Sequence, residues 1–216
     1  MGNINILEEL IRRYPKLLSV KDEIQKAADC LISCYQQERK VLICGNGGSC
    51  SDSDHIVGEL MKGFEHNRPL GESLKNQLSV FGGERGMYLA EKLQPGLPAI
   101  SLTAHSALIT AIANDTDADL IFAQQVVGFG NDGDVLIGIS SSGNSQNVVD
   151  AIITAKAKRM VVIGLTGETG GKMKTFCDIM INVPERHTAF VQELHLPVYH
   201  TLCLMVENYF FGNHHC

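Results

Sequence analysis

Short runs of consecutive apolar residues alternate along this chain with longer stretches in which apolar positions recur every three or four residues. The runs at 41–44, 97–103, 135–139, 160–166 and 179–183 have the form of strands covered on both faces. Ahead of the first run, 4–38 reads as helix, with Ile24, Ala27, Ala28, Leu31 and Ile32 at helical spacing and a break near Tyr14 and Pro15. So long a helix before the first strand is expected to serve an interface. Further helices are expected over 105–114, 119–129, 147–158 and 188–211, the last bent by Pro197. Strand and helix in alternation predict an α/β fold, a three-layer α/β/α sandwich with a doubly wound parallel sheet. Only 63–96 breaks the rhythm, with Gly, Pro and mixed charge around a weakly helical 84–93, and reads as a lid or insertion. Its Arg68, Lys75, Arg85 and Lys92 are expected on the solvated surface, with reach to a bound phosphate as the alternative.

Composition narrows the class. A chain of 216 residues, 44% hydrophobic and 19% charged, suits one domain over 1–216 with a single large core. The net charge of −6, without clustered Lys and Arg, argues against a nucleic-acid surface, so any anion must be bound locally. No uninterrupted apolar run is long enough to span a membrane, and the acidic start lacks a basic leader, so a cytoplasmic protein is expected. Gly2 does not complete a myristoylation signal, because Ile6 stands where Ser or Thr is required. The seven cysteines, at 30, 34, 44, 50, 177, 203 and 216, form no CxxC pair and suit reduced core thiols, with Cys50 set apart in a Gly/Ser turn.

Candidate chemistry gathers where strands run into helices. In GDVLIGISSSGNSQNVVD (133–150) a strand leads into a turn with the hydroxyls of Ser140, Ser141, Ser142 and Ser145, then a helix N-terminus. Free backbone N–H groups and the helix dipole favour a phosphate there, unless the last serine merely caps the helix. A second such turn, Gly45-Asn46-Gly47-Gly48-Ser49, precedes a helix bearing Asp52, Asp54, His55 and Glu59. Both turns are expected at the carboxyl edge of one sheet. His55 and Glu59, four apart, share a helix face, which suits two metal ligands, a base with its orienter, or a surface pair. On the last helix, Gln192, Glu193, His195 and His200 lie among apolar positions. His195 and His200 differ by about 140° around a straight helix, and Gln192 and His200 by about 80° and about 12 Å along it.

Taken together, GNGGSxxDxxHxxxE (45–59), AxxNDxxxxxxFxxQ (111–125), the serine segment, IGLTGETGGKM (163–173) and VQELHLPVYH (191–200) resemble the SIS (sugar isomerase) domain family, and within it the phosphoheptose isomerases. The resemblance runs from about residue 35 onward, except across 63–96. It implies aldose–ketose isomerisation of a phosphosugar, sedoheptulose 7-phosphate first, in a homotetramer with sites between subunits and zinc (Zn2+) as cofactor. It places substrate contacts at Asn46, Gly47, Gly48, Ser49, Glu59, Asn114, Asp115, Ser140, Ser141, Ser142, Ser145 and Gln192. The same resemblance makes His55, Glu59, Gln192 and His200 the metal ligands, with Glu59 and His200 as the acid/base pair. Two positions depart from the family: Lys62 stands where an arginine is expected just beyond Glu59, and Ala189 where an aspartate precedes Gln192. Non-catalytic relatives that bind a sugar phosphate or a replication initiator share the serine loop, and remain the alternative class.

Overall fold

The structure, a computed structural model, describes residues 3–212. Five parallel strands form one sheet in the order β2-β1-β3-β4-β5, where β1 is Val41–Gly45, β2 Ala99–Ser101, β3 Val135–Ser140, β4 Val161–Thr166 and β5 Ile179–Asn182. Every residue of β1 and β3 is buried, as strands covered on both faces require. Alternate side chains then feed two cores.

On one face Val41, Ile43, Ile137, Ile139, Ile163 and Leu165 pack beneath helices α2 (Lys21–Gln36), α3 (Gly48–Met61) and α8 (Thr188–Phe211). On the other, Leu42, Cys44, Leu136 and Val162 meet α6 (Ala123–Phe129) and α7 (Gln146–Ala157). These are the three expected layers. The N-terminal stretch breaks where Pro15 predicts, into α1 (Asn3–Arg13), a 3-10 turn (Pro15–Val20) and α2. Leu7, Leu10, Ile24 and Leu31 are buried in the chain's own core, so the inner faces of these helices are already occupied.

Several boundaries differ from expectation. The segment 119–129 opens as a 3-10 turn at Ala118–Leu120 before α6 begins, and α8 runs unbroken through Pro197. Most of the irregular segment is one helical element, α4 (Glu72–Lys92), turned at Gly83, whose φ of 52° only glycine adopts without strain. Gly86 packs so closely on Leu78 that a Cβ would meet its carbonyl oxygen, which is how α4 folds back on itself. Val80 and Phe81 near that bend are 82% and 90% exposed. Helix α5 (Ser106–Asp115), SALITAIAND, is largely apolar yet buries only Ile112. Among the described residues no helix is long and apolar enough to cross a membrane. Gly2 and Cys216 lie outside the described residues; the other six cysteines are free thiols. Burial pushes Cys30 up to about 11 and Cys34, Cys44 and Cys177 up to about 12, which keeps them protonated and unreactive.

Candidate active site

Strand β1 has β2 on one side and β3 on the other, so the winding reverses between β1 and β3, and a crevice opens at their carboxyl ends. Both glycine- and serine-rich turns leave the sheet there. Asn46 and Asn147 join them through reciprocal amide hydrogen bonds of 2.8 and 3.0 Å. Gly47, with φ of 57°, makes the sharp entry into α3. Gly48 carries the side chain of Gln192 directly against it: a Cβ at Gly48 would lie 2.4 Å from Gln192 Nε2. Ser49 is buried behind this turn, and its N–H donates to the Asn46 carbonyl.

In the serine loop, Gly143 (φ 67°) lets the backbone press on Gly170, whose carbonyl would sit 2.2 Å from a Cβ. Met173 N–H closes the contact by donating to the Gly143 carbonyl at 3.1 Å. Ser145 stands at the start of α7 but makes no side-chain cap bond; its hydroxyl lies 3.0 Å from that of Ser140 instead. The hydroxyls of Ser140 and Ser145 therefore face each other rather than the helix end. Ser141 is half-buried and Ser142 exposed, and the Ser142 hydroxyl accepts the Asn144 N–H. Hydroxyls and a helix N-terminus, with the exposed Lys172 bound to Gln146 Oε1 at 3.4 Å, describe a dipolar anion cradle.

A second group lies lower on α3. His55 Nε2 is 3.1 Å from Glu59 Oε1, and the His55 and His200 rings meet edge to face with centroids 4.9 Å apart. Phe64 covers His200 on another side at 5.4 Å. Burial, aided by His55 and opposed by Glu59, lowers the His200 pKa, which favours the neutral ring. Lys62 is exposed and lies 3.5 Å from Glu59 Oε2. Asn114 and Asp115 end the exposed helix α5, bonded to each other at 2.8 Å. His195, by contrast, is fully buried below the site, and burial pushes it down to about 4. Neither of its ring nitrogens makes a well-formed hydrogen bond, although the Thr166 backbone lies close enough to oppose the shift.

Apart from Asn114 and Asp115, which end exposed α5 and join neither set, the sequence-predicted residues form two groups in one chain. Asn46, Gly47, Gly48, Ser49 and Gln192 gather at the sheet edge with Ser140, Ser141, Ser142 and Ser145. His55, Glu59 and His200 form the other. Along α3, Glu59 is about 16 Å from Gly48, and along α8 His200 is about 12 Å from Gln192. Zinc takes nitrogen and oxygen donors of this kind, and His200 Nε2 is buried without a protein partner, so the donor types fit such an ion. The shell is not closed within one chain: among the described residues no three His, Cys, Asp or Glu side chains are placed to hold an ion, and Gln192 stays with Gly48.

Three supporting residues had no sequence signal. Arg68, expected at the surface, is fully buried beside Glu207, which is also fully buried. Glu207 accepts from the backbone N–H groups of Phe64, Glu65 and His66 as well as from Arg68 Nε at 2.9 Å. Burial alone would raise its pKa, but these donors outweigh it and hold the carboxyl below its ordinary value. Arg68 also donates to the Leu60 and Glu59 carbonyls and stacks on Phe211 at 4.5 Å. One ion pair therefore straps the segment after α3 to α8 and fixes both Glu59 and Phe64. Tyr199 is the third: it touches Asp52 and His55, 147 and 144 residues away in sequence, a distance no local pattern can signal.

The SIS domain pattern matches residues 8–80 and 84–167. The chain belongs to the SIS domain family. It is 36% identical to a phosphoheptose isomerase from Aneurinibacillus thermoaerophilus over 212 residues, covering 98% of this chain and 92% of that one. With a phosphoheptose isomerase from Maridesulfovibrio salexigens it shares 40% over 210 residues, 97% and 87% of the two chains. Among solved structures, a phosphoheptose isomerase from Neisseria gonorrhoeae superposes with a TM-score of 0.73 at 33% identity, covering 93% of this chain and 94% of that one. One from Francisella tularensis gives the same TM-score at 31% identity and the same coverage. These phosphoheptose isomerases are thus similar to this chain along nearly its whole length.

Proposed function

We propose that this protein is a cytoplasmic phosphosugar isomerase that interconverts a ketose and an aldose phosphate, with sedoheptulose 7-phosphate and D-glycero-D-manno-heptose 7-phosphate as its pair. The observation that carries the reading is the meeting of Glu59, His55 and His200 in a chain so similar throughout to phosphoheptose isomerases. In this reading the phosphate rests on Ser140, Ser141, Ser142 and Ser145 and on the start of α7. Asn46, Gly47, Gly48, Ser49, Asn114, Asp115 and Gln192 hold sugar hydroxyls. That remote binding fixes the carbon skeleton against the acid/base pair. The Glu59 carboxylate removes the proton from the carbon beside the carbonyl and returns it to the neighbouring carbon. His200, whose neutral form burial favours, passes a proton between the two oxygens of the enediol. A zinc ion held by His55, Glu59 and His200, with Gln192 of a facing copy as fourth donor, would supply Lewis-acid polarisation of the carbonyl.

The same reading calls for a homo-oligomer, and we take it to be a tetramer. A heptose phosphate is shorter than the roughly 16 Å of α3 between Gly48 and Glu59, so one chain does not bring both groups to one sugar. Copies of the chain facing one another would do so. The exposed apolar sides of α5 and of the α4 bend support such contacts, and the negative net charge gives no reason for a nucleic-acid partner. The deciding experiment is incubation of the zinc-loaded protein with sedoheptulose 7-phosphate in deuterated water. Deuterium entering the carbon beside the carbonyl, together with a new aldose, is expected. Ligand-induced thermal stabilisation without any exchange would overturn the catalytic reading and favour a sugar-phosphate sensor.

A further inference from the structure

We propose that Asn147 is a positioning residue for Asn46: a reciprocal pair of amide hydrogen bonds holds the Asn46 side chain in one orientation, with one N–H and one acceptor site left for a sugar hydroxyl. Asn46 Nδ2 donates to Asn147 Oδ1 at 2.8 Å, and Asn147 Nδ2 donates to Asn46 Oδ1 at 3.0 Å. An asparagine amide has two donors and two acceptor sites, so the pair uses one of each and leaves the others for another partner. Asn147 is the second residue of α7, a place where asparagine side chains can bond the neighbouring backbone. Here the side chain reaches the turn after β1, 101 positions away.

Two asparagines close to Ser145 hold different things. Asn144 Oδ1 accepts the Lys172 N–H at 3.0 Å and Asn144 Nδ2 donates to the Ser142 carbonyl at 3.0 Å, so Asn144 fixes the serine loop itself. Asn147 ties the start of α7 to the turn after β1, while the hydroxyls of Ser140 and Ser145 bond each other. Asn46 is exposed, and without its partner the side chain would sample several rotamers. Pairing removes that freedom before a ligand arrives, which lowers the entropy lost on binding. The pairing stands on this geometry alone; the sugar hydroxyl as its ligand rests on the isomerase reading.

The test combines side-chain amide NMR relaxation, which needs no ligand, with two probes, inorganic phosphate and sedoheptulose 7-phosphate. The Asn46 NH2 group is expected to be as rigid as the backbone in wild type and mobile on the nanosecond scale in Asn147→Ala. Asn147→Ala should leave the inorganic phosphate Kd within about twofold, and raise KM for sedoheptulose 7-phosphate about tenfold with kcat little changed. The double variant Asn46→Ala/Asn147→Ala should match Asn46→Ala, because Asn147 acts only through Asn46. Asn144→Ala, by contrast, should weaken both probes. An Asn46 side chain that is mobile in wild type, or stays rigid in Asn147→Ala, would overturn the proposal. So would a weakened phosphate Kd in Asn147→Ala or additive losses in the double variant, since either makes Asn147 a ligand contact in its own right. Rigidity lost as expected in a protein that does not bind sedoheptulose 7-phosphate would uphold the positioning role and reject the heptose reading instead.

Discussion

The serine loop and the His55/Glu59/His200 group are built on opposite plans. The loop is contiguous: a strand, four hydroxyls within six residues and a helix start, all held by backbone contacts between Gly143, Gly170 and Met173. The histidine group exists only because α3 and α8 run side by side, with His200 brought to His55 from 145 positions away by a shared core and by the Arg68–Glu207 strap. A site can therefore place its binding energy in local structure and its chemistry in tertiary structure. The two halves should then fail in different ways.

The largest separation is expected from Glu59→Gln. Turnover should fall on the order of 10³-fold while thermal-shift binding of the sugar phosphate persists, since the base is lost and the loop is untouched. Next comes the strap. Arg68→Met leaves Glu207 buried without its partner and should cost about 3 to 5 kcal/mol in urea denaturation, with kcat falling as Phe64 and Glu59 lose their anchor. The double variant Arg68→Met/Glu207→Leu should recover only part of that. Three backbone donors, of Phe64, Glu65 and His66, would still lack an acceptor.

Acid tests the floor beneath both halves. An unfolded histidine binds a proton near pH 6.5, but buried His195 does so only at about 4, so between those values the unfolded state holds more protons. Stability should be full above pH 6.5 and fall as pH drops through the window, by up to about 3 kcal/mol. The pH dependence of the urea midpoint should flatten in His195→Leu. A smaller and opposite signature is expected in the loop: Ser145→Ala should raise KM about tenfold and leave kcat alone, because it removes a phosphate contact distant from the proton transfer. Finally, mixing Glu59→Gln with a variant lacking Ser140 and Ser145 hydroxyls should restore some turnover if the halves come from different copies. No recovery in a mixture shown to exchange subunits would place both halves on one chain.

Much of this was legible along the chain. Runs of apolar residues at 41–44 and 135–139 have the form of strands buried on both faces, and the glycine and serine turns after them locate the crevice. Arg68 was misread because the burial of a cation depends on a carboxylate that α8 supplies from 139 residues away. The lid-like segment was read as irregular because Gly82, Gly83 and Gly86 lower helix propensity, whereas close packing at Gly86 is what allows α4 to fold back. Helix α5 was read simply as a helix and its exposure was not foreseen, since apolar content does not reveal whether a partner face exists within the chain.

The order of elements, the layered α/β class and the position of the anion cradle were determined by sequence alone, because apolar periodicity and turn chemistry act over a few neighbouring residues. Which residues surround His55, which cation is buried with Glu207 and how far Glu59 stands from the serine loop were decided only by the tertiary structure. Those outcomes depend on removing specific polar groups from water beside one specific partner, and that pairing is made by the packing of α3 against α8.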